Sequence, residues 1–291
     1  ADSGGCVAPQ RPRISMSTLG RNGRFGNQLF QYFFLDLIAR RTGGVVETPP
    51  WIGEELFSLP SRRPTAGAPR RIRQDPDDPD PEAVFSQIDG CDDIDLWGYF
   101  QFHTRHLAPH RDRFRALFSP RPALARALDR GLARLAQRGR TLVALHLRRG
   151  DYVGGPLFYP APSAWYLDAL ADLWPLLDAP YLYVASDELG RVLRDFAAYA
   201  PATAADLALG PDVPDVVRDF FVMTRADVLA ISNSSYSFAA SMLSERAGIY
   251  LRPDPDLGRL VPYLPWQSAV LLRAGHRGRG SQLATRATAA E

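Results

Sequence analysis

The sequence predicts an α/β protein built on parallel β-sheets. Apolar runs of strand length alternate with segments of helical periodicity through the second half of the chain, a pattern typical of a doubly wound, Rossmann-like sheet. The chain also opens with a strand, a glycine-rich loop, a helix and a second strand, which is the start of a βαβ unit. Polar clusters follow several predicted strands, at the positions where open α/β sheets bind ligands.

The first half begins with that βαβ unit. Residues 13–18 (RISMST) predict a strand, and a helix is expected to begin near Asn27, a favourable N-cap, and to end at Gly43. GVVET (44–48) predicts the second strand. The helix is predicted from apolar residues that recur at helical spacing: Leu29, Phe30, Phe33, Phe34, Leu37 and Ile38.

The middle of the chain departs from this alternation. Residues 60–82 are rich in proline, first basic and then acidic, and without periodicity, so they predict a long exposed loop. Residues 94–102 (IDLWGYFQF) predict a strand, and 104–118 and 122–137 predict helices.

The second half alternates regularly between strands and helices. The predicted elements are strands at 141–147, 181–186, 227–232 and 248–251 and helices at 163–174, 188–200, 215–226 and 234–248. We therefore expect two Rossmann-like domains, residues 12–125 and 126–275, followed by a disordered tail at 276–291.

The composition is that of a folded globular protein, with 46% hydrophobic and 23% charged residues. The net charge of +2 is too small to suggest binding to nucleic acid or to a membrane surface. Lysine is absent, so all 34 basic residues are arginine. A Walker-A lysine, a Schiff base and a lysine general base are therefore excluded.

The sequence has no apolar run of membrane-spanning length and no signal peptide at its start. A cytoplasmic protein is the expectation. Cys6 and Cys91 lack the spacing of a metal site or a disulfide framework, and we expect one thiol in a flexible tail and one in or near the core.

Three polar clusters follow strands of the second half, and carboxyl ends of parallel strands share one sheet edge. The clusters are His146, Arg148, Arg149 and Asp151; Ser186, Asp187 and Glu188; and Ser232, Asn233, Ser234 and Ser235. Together they predict a pocket for an anionic ligand such as a nucleotide diphosphate.

Each cluster has suitable chemistry for such a ligand. A guanidinium grips phosphate oxygens with two parallel hydrogen bonds. Ser234 and Ser235 add hydroxyls at a helix N-terminus, and Asp187 can accept the N–H groups of guanine or the ribose hydroxyls. The alternatives are that the serines and Asp187 are only N-caps, that His146 is a satisfied structural group, and that the arginine pair lies in a solvated turn.

The first half offers a second candidate loop, GRFGNQ (23–28). Gly23 and Gly26 would allow a ligand close to the backbone, with Asn27 at the helix N-terminus. The alternative is a tight turn with an asparagine cap. Because the motif is not GxGxxG, a dinucleotide site is poorly supported.

A metal site is also poorly supported. Pro109 interrupts the segment that carries the histidines, and neither a carboxylate nor a cysteine completes the set, which is His103, His106 and His110.

Taken in order, these motifs resemble a known family. HLRRGDYV, SDE and ISNSSYSFAASML resemble the three motifs of family 11 glycosyltransferases, the α-1,2-fucosyltransferases, and WGYFQ (97–101) is similar to another segment of that family. GRFGNQLFQY resembles the family's GGLGNQMFQY, and GRFGNQ is equally similar to the start of protein O-fucosyltransferases. The similarity runs from about residue 20 to 250.

The resemblance implies a GT-B fold, with two Rossmann-like domains facing each other across a cleft. It implies inverting, metal-independent transfer of L-fucose from GDP-fucose, with the acceptor on the N-terminal domain and the donor on the C-terminal one. No other cofactor is expected. An α-1,2 linkage to a galactose-containing glycan is the expected product.

The resemblance also assigns roles to residues. It implies that Arg148 holds the β-phosphate and that Arg149 supports it. The implied donor-binding set is His146, Arg149, Ser186, Asp187, Asn233, Ser234, Ser235, Phe25, Gly26 and Asn27. From the residues themselves, Asp151 is either the general base or an anchor for the arginines.

Two departures from the family pattern bear on the donor. YSFAASM stands where the family has FSWWGAW, and SDE stands where it has SDD. Transfer of another GDP-activated sugar, a peptide or small-molecule acceptor, and a non-catalytic nucleotide-sugar binding protein are therefore the alternatives.

Overall fold

A computed structural model describes residues 11–67, 69–78, 80–88, 93–153 and 159–272. They form two compact units. Unit 1 comprises the described residues up to Phe102 together with Asp112–Arg121, and unit 2 comprises His103–Arg111 and the described residues from Pro122 onward. Both cysteines and the predicted tail lie outside the described residues.

Unit 1 contains a parallel sheet of four strands, with Ile14 in register with Val46 on one side and with Ile94 on the other. The elements up to Leu117 are β1 Arg13–Ser15, α1 Phe25–Thr42, β2 Val45–Glu47, α2 Gly53–Leu56, β3 Arg70–Arg73, α3 Glu82–Ile88, β4 Ile94–Trp97 and α4 Arg111–Leu117. The strand order is β2-β1-β4-β3.

Helix α1 is the centre of the core of unit 1. Every residue from 28 to 39 is buried, as expected of a helix that is apolar around most of its circumference. Its aromatic rings pack on other elements: Phe33 meets Phe114 edge-on at 4.9 Å and Phe34 stacks on Phe100 at 4.6 Å. These aromatic contacts add to the burial of large apolar surfaces.

The ends of α1 differ in how well they were predicted. Gly43 ends the helix as predicted, in the left-handed conformation with φ 67°, and its N–H donates to the Ala39 carbonyl. The predicted N-cap was wrong. The cap is Arg24, which makes no side-chain capping bond, and Asn27 lies inside the first turn.

Two other predictions for unit 1 were wrong. The expected loop at 60–82 contains β3, a parallel neighbour of β4, in which only Ile72 is buried. A single apolar residue among arginines is too short a pattern to identify an edge strand. The strand predicted to reach residue 102 ends at Trp97, because Phe100 adopts a left-handed φ of 53°. The predicted helix at 104–118 is two 3₁₀ turns followed by α4.

Unit 2 contains a five-stranded sheet in the order β6-β5-β7-β8-β9, parallel except for the antiparallel β9. Its elements are α5 Pro122–Leu135, β5 Thr141–Leu147, α6 Ser163–Leu173, β6 Pro180–Ser186, α7 Leu189–Val192, α8 Asp215–Thr224, β7 Val228–Ala230, α9 Ser235–Leu243, β8 Ile249–Asp254 and β9 Arg259–Pro262. Strand β5 is central, and six of its seven residues are buried, as expected for a strand covered on both faces.

Three predictions for unit 2 need correction. The helix expected at 188–200 is the single turn α7 followed by irregular turns, with Ala200 at φ 46°. Helix α9 ends at Leu243, because Ser244 is extended. The antiparallel edge strand β9 was not predicted, since its four residues carry too little apolar periodicity.

The strand order creates a crevice in each unit. In unit 2 the chain runs from β5 to β6 on one side and then crosses to β7 on the other, so the connections after β5 and β7 diverge. Ligands of doubly wound sheets bind at such a switch point, beyond the carboxyl ends of the strands. In unit 1 the equivalent position lies between β1 and β4.

Candidate functional site

The crevice of unit 2 is closed at its base by Tyr166. This buried residue of α6 donates its hydroxyl to the carbonyl of Ile231 at 3.1 Å and lies 3.3 Å from the carbonyl of His146. It therefore ties the ends of β5 and β7 together. Sequence analysis missed this role, because a tyrosine at an apolar helix position looks like an ordinary core residue.

His146 is buried at the end of β5, with Nδ1 2.8 Å from Ser232 Oγ. Burial, reinforced by the positive charges of Arg148 and Arg149, lowers the pKa of His146 to about 3. The imidazole is therefore neutral near pH 7. Its hydrogen bond to Ser232 fits the alternative in which His146 is a satisfied buried group.

Arg148 follows directly and is held by two carboxylates. Its guanidinium contacts the carboxylate of Asp151, and its Nη1 lies 3.2 Å from Asp187 Oδ2. It also lies 5.3 Å from the centre of the Tyr152 ring. Only 14% of the Arg148 side chain is exposed, against 49% of Asp151. The cation is thus oriented from two sides by groups on different loops.

Asp187 also organises the backbone of the loop after β5. Its Oδ1 accepts the N–H of Arg149 at 2.8 Å. Gly150 has a positive φ of 26°, and a Cβ at that position would lie 2.5 Å from Asp187 Oδ2. Asp187 does not cap α7, since the cap is Glu188 and no side chain completes it. The interpretation of Asp187 as an N-cap was therefore wrong.

Arg149 and Ser186 take part in contacts between the loops. Arg149 Nη2 donates to Ser163 Oγ at 3.4 Å, at the start of α6. Ser186 Oγ donates to the Leu147 carbonyl at 2.7 Å and accepts the N–H of Glu188 at 3.1 Å. The hydroxyl proton of Ser186 is thus engaged in joining the ends of β5 and β6.

The third cluster lies where β7 leads into α9. Ser234 is the N-cap of α9, and its Oγ accepts the N–H of Tyr236 at 3.4 Å, while Ser235 is the buried first residue of the helix. Asn233 donates from Nδ2 to the Leu272 carbonyl at 2.7 Å and accepts the Leu272 N–H at 2.8 Å. Asn233 therefore fixes the segment at Leu272 with both ends of its amide.

The candidate loop of unit 1 joins the segment that follows β4. Asn27 Oδ1 accepts from Gln101 Nε2 at 2.6 Å. Gly23 has φ 87°, and a Cβ there would lie 2.4 Å from Asn27 Nδ2. Of the other predicted residues, Gly26 is buried and Phe25 is buried with its ring stacked at 6.4 Å on Phe57. The structure thus brings GRFGNQ and WGYFQ together at one sheet edge.

A buried carboxylate at the same edge was not predicted. Asp95 accepts from the Ser17 N–H at 2.7 Å, from Ser17 Oγ at 2.8 Å and from Arg71 Nη2 at 2.8 Å. It fixes the loop after β1 through Ser17. The isolated aspartate in IDLW was the available signal, since a charge inside a buried strand requires partners.

The histidines of the 103–110 segment have other partners. The Nδ1 of His103 accepts the N–H of Arg105 at 3.3 Å, and His106 Nε2 accepts from Arg105 Nε at 3.2 Å. Within the described ranges, no group of three histidine, cysteine or acidic residues is arranged to hold a metal ion. None of the helices in the described part of the chain has the length and apolar character needed to span a bilayer.

Comparison by sequence gave no relative: no protein-family profile and no curated protein matches this chain. Comparison by structure gave several. NodZ α-1,6-fucosyltransferase soaked with GDP-fucose is similar, with a TM-score of 0.56 and 14% identity over 87% of this chain and 99% of that chain. Fucosyltransferase NodZ from Bradyrhizobium reaches a TM-score of 0.58 at 12% identity, with 87% and 99% of the chains covered.

Two further structures are similar. A FUT1 mutant from Arabidopsis thaliana in complex with GDP has a TM-score of 0.58 and 11% identity, covering 89% of this chain and 75% of that chain. POFUT1 in complex with GDP-fucose has a TM-score of 0.50 and 14% identity, covering 83% and 96%. At these identities the likeness shows the fold, and the predicted GT-B fold class is confirmed.

Proposed function

We propose that this protein is a fucosyltransferase that moves L-fucose from GDP-fucose to an acceptor hydroxyl. The observation that carries the proposal is Arg148, a mostly buried guanidinium fixed by Asp151 and Asp187 at the switch point of the unit 2 sheet. The fold supports it, since similar structures were solved with GDP-fucose or GDP.

The chemistry requires a fixed positive charge at this position. As the bond from fucose to GDP breaks, negative charge develops on the β-phosphate and the sugar acquires oxocarbenium character. A cation that is already oriented stabilises this charge without reorganisation during the reaction. We assign this role to Arg148, with Arg149 supporting the diphosphate. With these two arginines neutralising the leaving group, the transfer is proposed to be inverting and independent of a metal ion.

Asp151 has two possible roles in such a mechanism, general base or anchor. Its carboxylate contacts the Arg148 guanidinium, and this favours the anchoring role. An anchor would keep the arginine aimed at the phosphate and would not exchange a proton with the acceptor. We therefore propose Asp151 as a positioning residue.

The remaining predicted residues are proposed to surround the donor. The start of α9, at Ser234 and Ser235, offers backbone N–H groups to the diphosphate. His146 lies between these arginines and Ser232 and is proposed to line the guanosine subsite. On unit 1, the loop with Gly26 and Asn27 is proposed to meet the fucose and the leaving group.

The motifs support α-1,2 transfer to a galactose-containing glycan as the finer proposal. Lactose is a simple test acceptor, and analysis of the product linkage would decide between α-1,2 and other bonds. A different GDP-sugar remains the second candidate, favoured by Phe238 and Ala239 in place of the tryptophan pair of the family pattern. Comparing the hydrolysis rates of several GDP-sugars separates the two.

The central test is Arg148→Ala. We expect the rate of GDP-fucose turnover to fall by about 100-fold or more, with an unchanged circular dichroism spectrum. Arg191→Ala is the matched control, since that nearby arginine is 73% exposed, and it should retain activity. Normal turnover in Arg148→Ala would refute the mechanism. Binding of GDP with no turnover of any GDP-sugar by the wild type would instead indicate a non-catalytic binding protein.

A further inference from the structure

Unit 1 has a second concave site, at the amino edge of its sheet. The groove has a volume of about 550 Å³, within the range of small-molecule pockets. It lies beside the start of β2 and the C-terminal end of α1, whereas the Asn27 loop follows the carboxyl end of β1. We call it the arginine groove, after the four cations in its wall: Arg11, Arg40, Arg62 and Arg113.

The charges of this groove are not balanced. Its only carboxylate among the described lining residues is Asp36, which is buried and already paired. Arg113 Nε donates to Asp36 Oδ2 at 2.9 Å and Arg113 Nη2 to Asp36 Oδ1 at 2.5 Å. This pairing raises the pKa of Arg113. Three positive charges therefore remain without a carboxylate in the groove.

Helix geometry explains part of this charge. Arg11 Nε donates to the Gly43 carbonyl at 2.8 Å, and Arg40 lies in the last turn of α1. Cations at this end of a helix complement its dipole. That explanation does not extend to Arg62, which the chain brings to the groove by donating its backbone N–H to the Val46 carbonyl at 2.9 Å.

Arg40 and Arg62 are the cations available to a ligand. Both are exposed, and within the described residues neither side chain makes an ion pair or a hydrogen bond. Many other arginines of this protein do have carboxylate partners, as Arg63 does with Glu54 at 2.6 Å. Cations that converge without a counter-charge repel one another unless an anion lies between them.

The wall opposite in character is apolar, contributed by Ala39, Val45, Val46 and Pro60. A groove of this size with an apolar wall is larger than an inorganic anion needs. We propose that the arginine groove binds an organic molecule that carries a phosphate group, with Arg40 and Arg62 on the phosphate. The proposal concerns a site apart from the crevices and does not depend on the fucosyltransferase assignment.

The test uses isothermal titration of the full chain with glucose 6-phosphate, with glucose as the uncharged control, at low ionic strength. Arg148→Ala is used as a parallel background, so that phosphate binding in the crevice of unit 2 is separated from binding in the groove. Arg40→Gln and Arg62→Gln should each weaken binding about tenfold or more, as expected for loss of a charge-assisted hydrogen bond. Arg41→Gln is the matched control, since Arg41 is the next residue in α1 and does not line the groove.

The expected result is saturable binding of one glucose 6-phosphate per chain, retained in Arg148→Ala and Arg41→Gln and weakened by salt. The proposal is overturned if no saturable binding occurs, if glucose binds equally well, or if Arg41→Gln has the same effect as Arg40→Gln. It is also overturned if Arg148→Ala alone abolishes binding, because the phosphate then occupies unit 2.

Discussion

Asp187→Asn is the substitution that best separates two roles for one carboxylate. The sequence suggests that Asp187 accepts the N–H groups of guanine. In the structure its Oδ1 accepts the Arg149 N–H at 2.8 Å and its Oδ2 lies 3.2 Å from Arg148 Nη1. Asparagine keeps the shape of the side chain and removes its charge, so the attraction for Arg148 is lost.

The size of the effect follows from this geometry. Two unit charges 3.2 Å apart attract by about 5 kcal/mol at an effective dielectric constant of about 20. The Asp187 side chain is 24% exposed, and Asp151 still holds Arg148 in the variant. We therefore expect a net loss of about 1–2 kcal/mol in transition-state stabilisation, which corresponds to a fall in kcat of about 5- to 30-fold.

The assay has two readouts, kcat for GDP-fucose and the difference in Tm produced by GDP and by ADP. Ligands that bind only the native state raise the Tm by mass action. If Asp187 acts through the arginines, kcat falls and the preference for GDP over ADP persists. An unchanged kcat with loss of that preference would refute the reasoning and assign Asp187 to the guanine. Glu188→Gln, at the adjacent position, should change neither readout.

Three further predictions concern stability. Gly150→Ala should lower the free energy of unfolding in urea by about 1–3 kcal/mol, because its Cβ would lie 2.5 Å from Asp187 Oδ2 at a φ of 26°; wild-type stability would show that this loop is free to move. His146 has a pKa lowered from 6.5 to about 3, so its neutral form stabilises the fold above about pH 6.5 and this contribution is lost as the pH falls toward 3; His146→Gln should reduce that acid dependence, and an unchanged urea midpoint profile would contradict it. Asp219 has a pKa raised by burial from 3.8 to about 7, so its contribution is present below about pH 4 and is lost as the pH rises through 7; Asp219→Asn should flatten the decline in the urea midpoint between pH 5 and 8, and an identical slope would count against it.

Local sequence determined the regular elements of this protein. α1 could be predicted because its aromatic residues recur at helical spacing and Gly43 supplies a left-handed end. β5 could be predicted because an apolar run of seven residues suits a strand buried on both faces. The edge strands β3 and β9 could not, because each has only four residues and its pairing is made with a strand elsewhere in the chain.

The candidate site divides in the same way. The sequence alone located the charged residues at strand ends, since polar groups after a buried strand must lie at the sheet edge. Only the tertiary structure decided their partners: Asp187 holds the Arg148–Arg149 loop from 38 residues away along the chain, and Asn233 is engaged by Leu272. The physical reason is that periodicity and capping depend on neighbours within a few residues. Hydrogen bonds and ion pairs between loops depend on strand order, which brings distant segments to one edge.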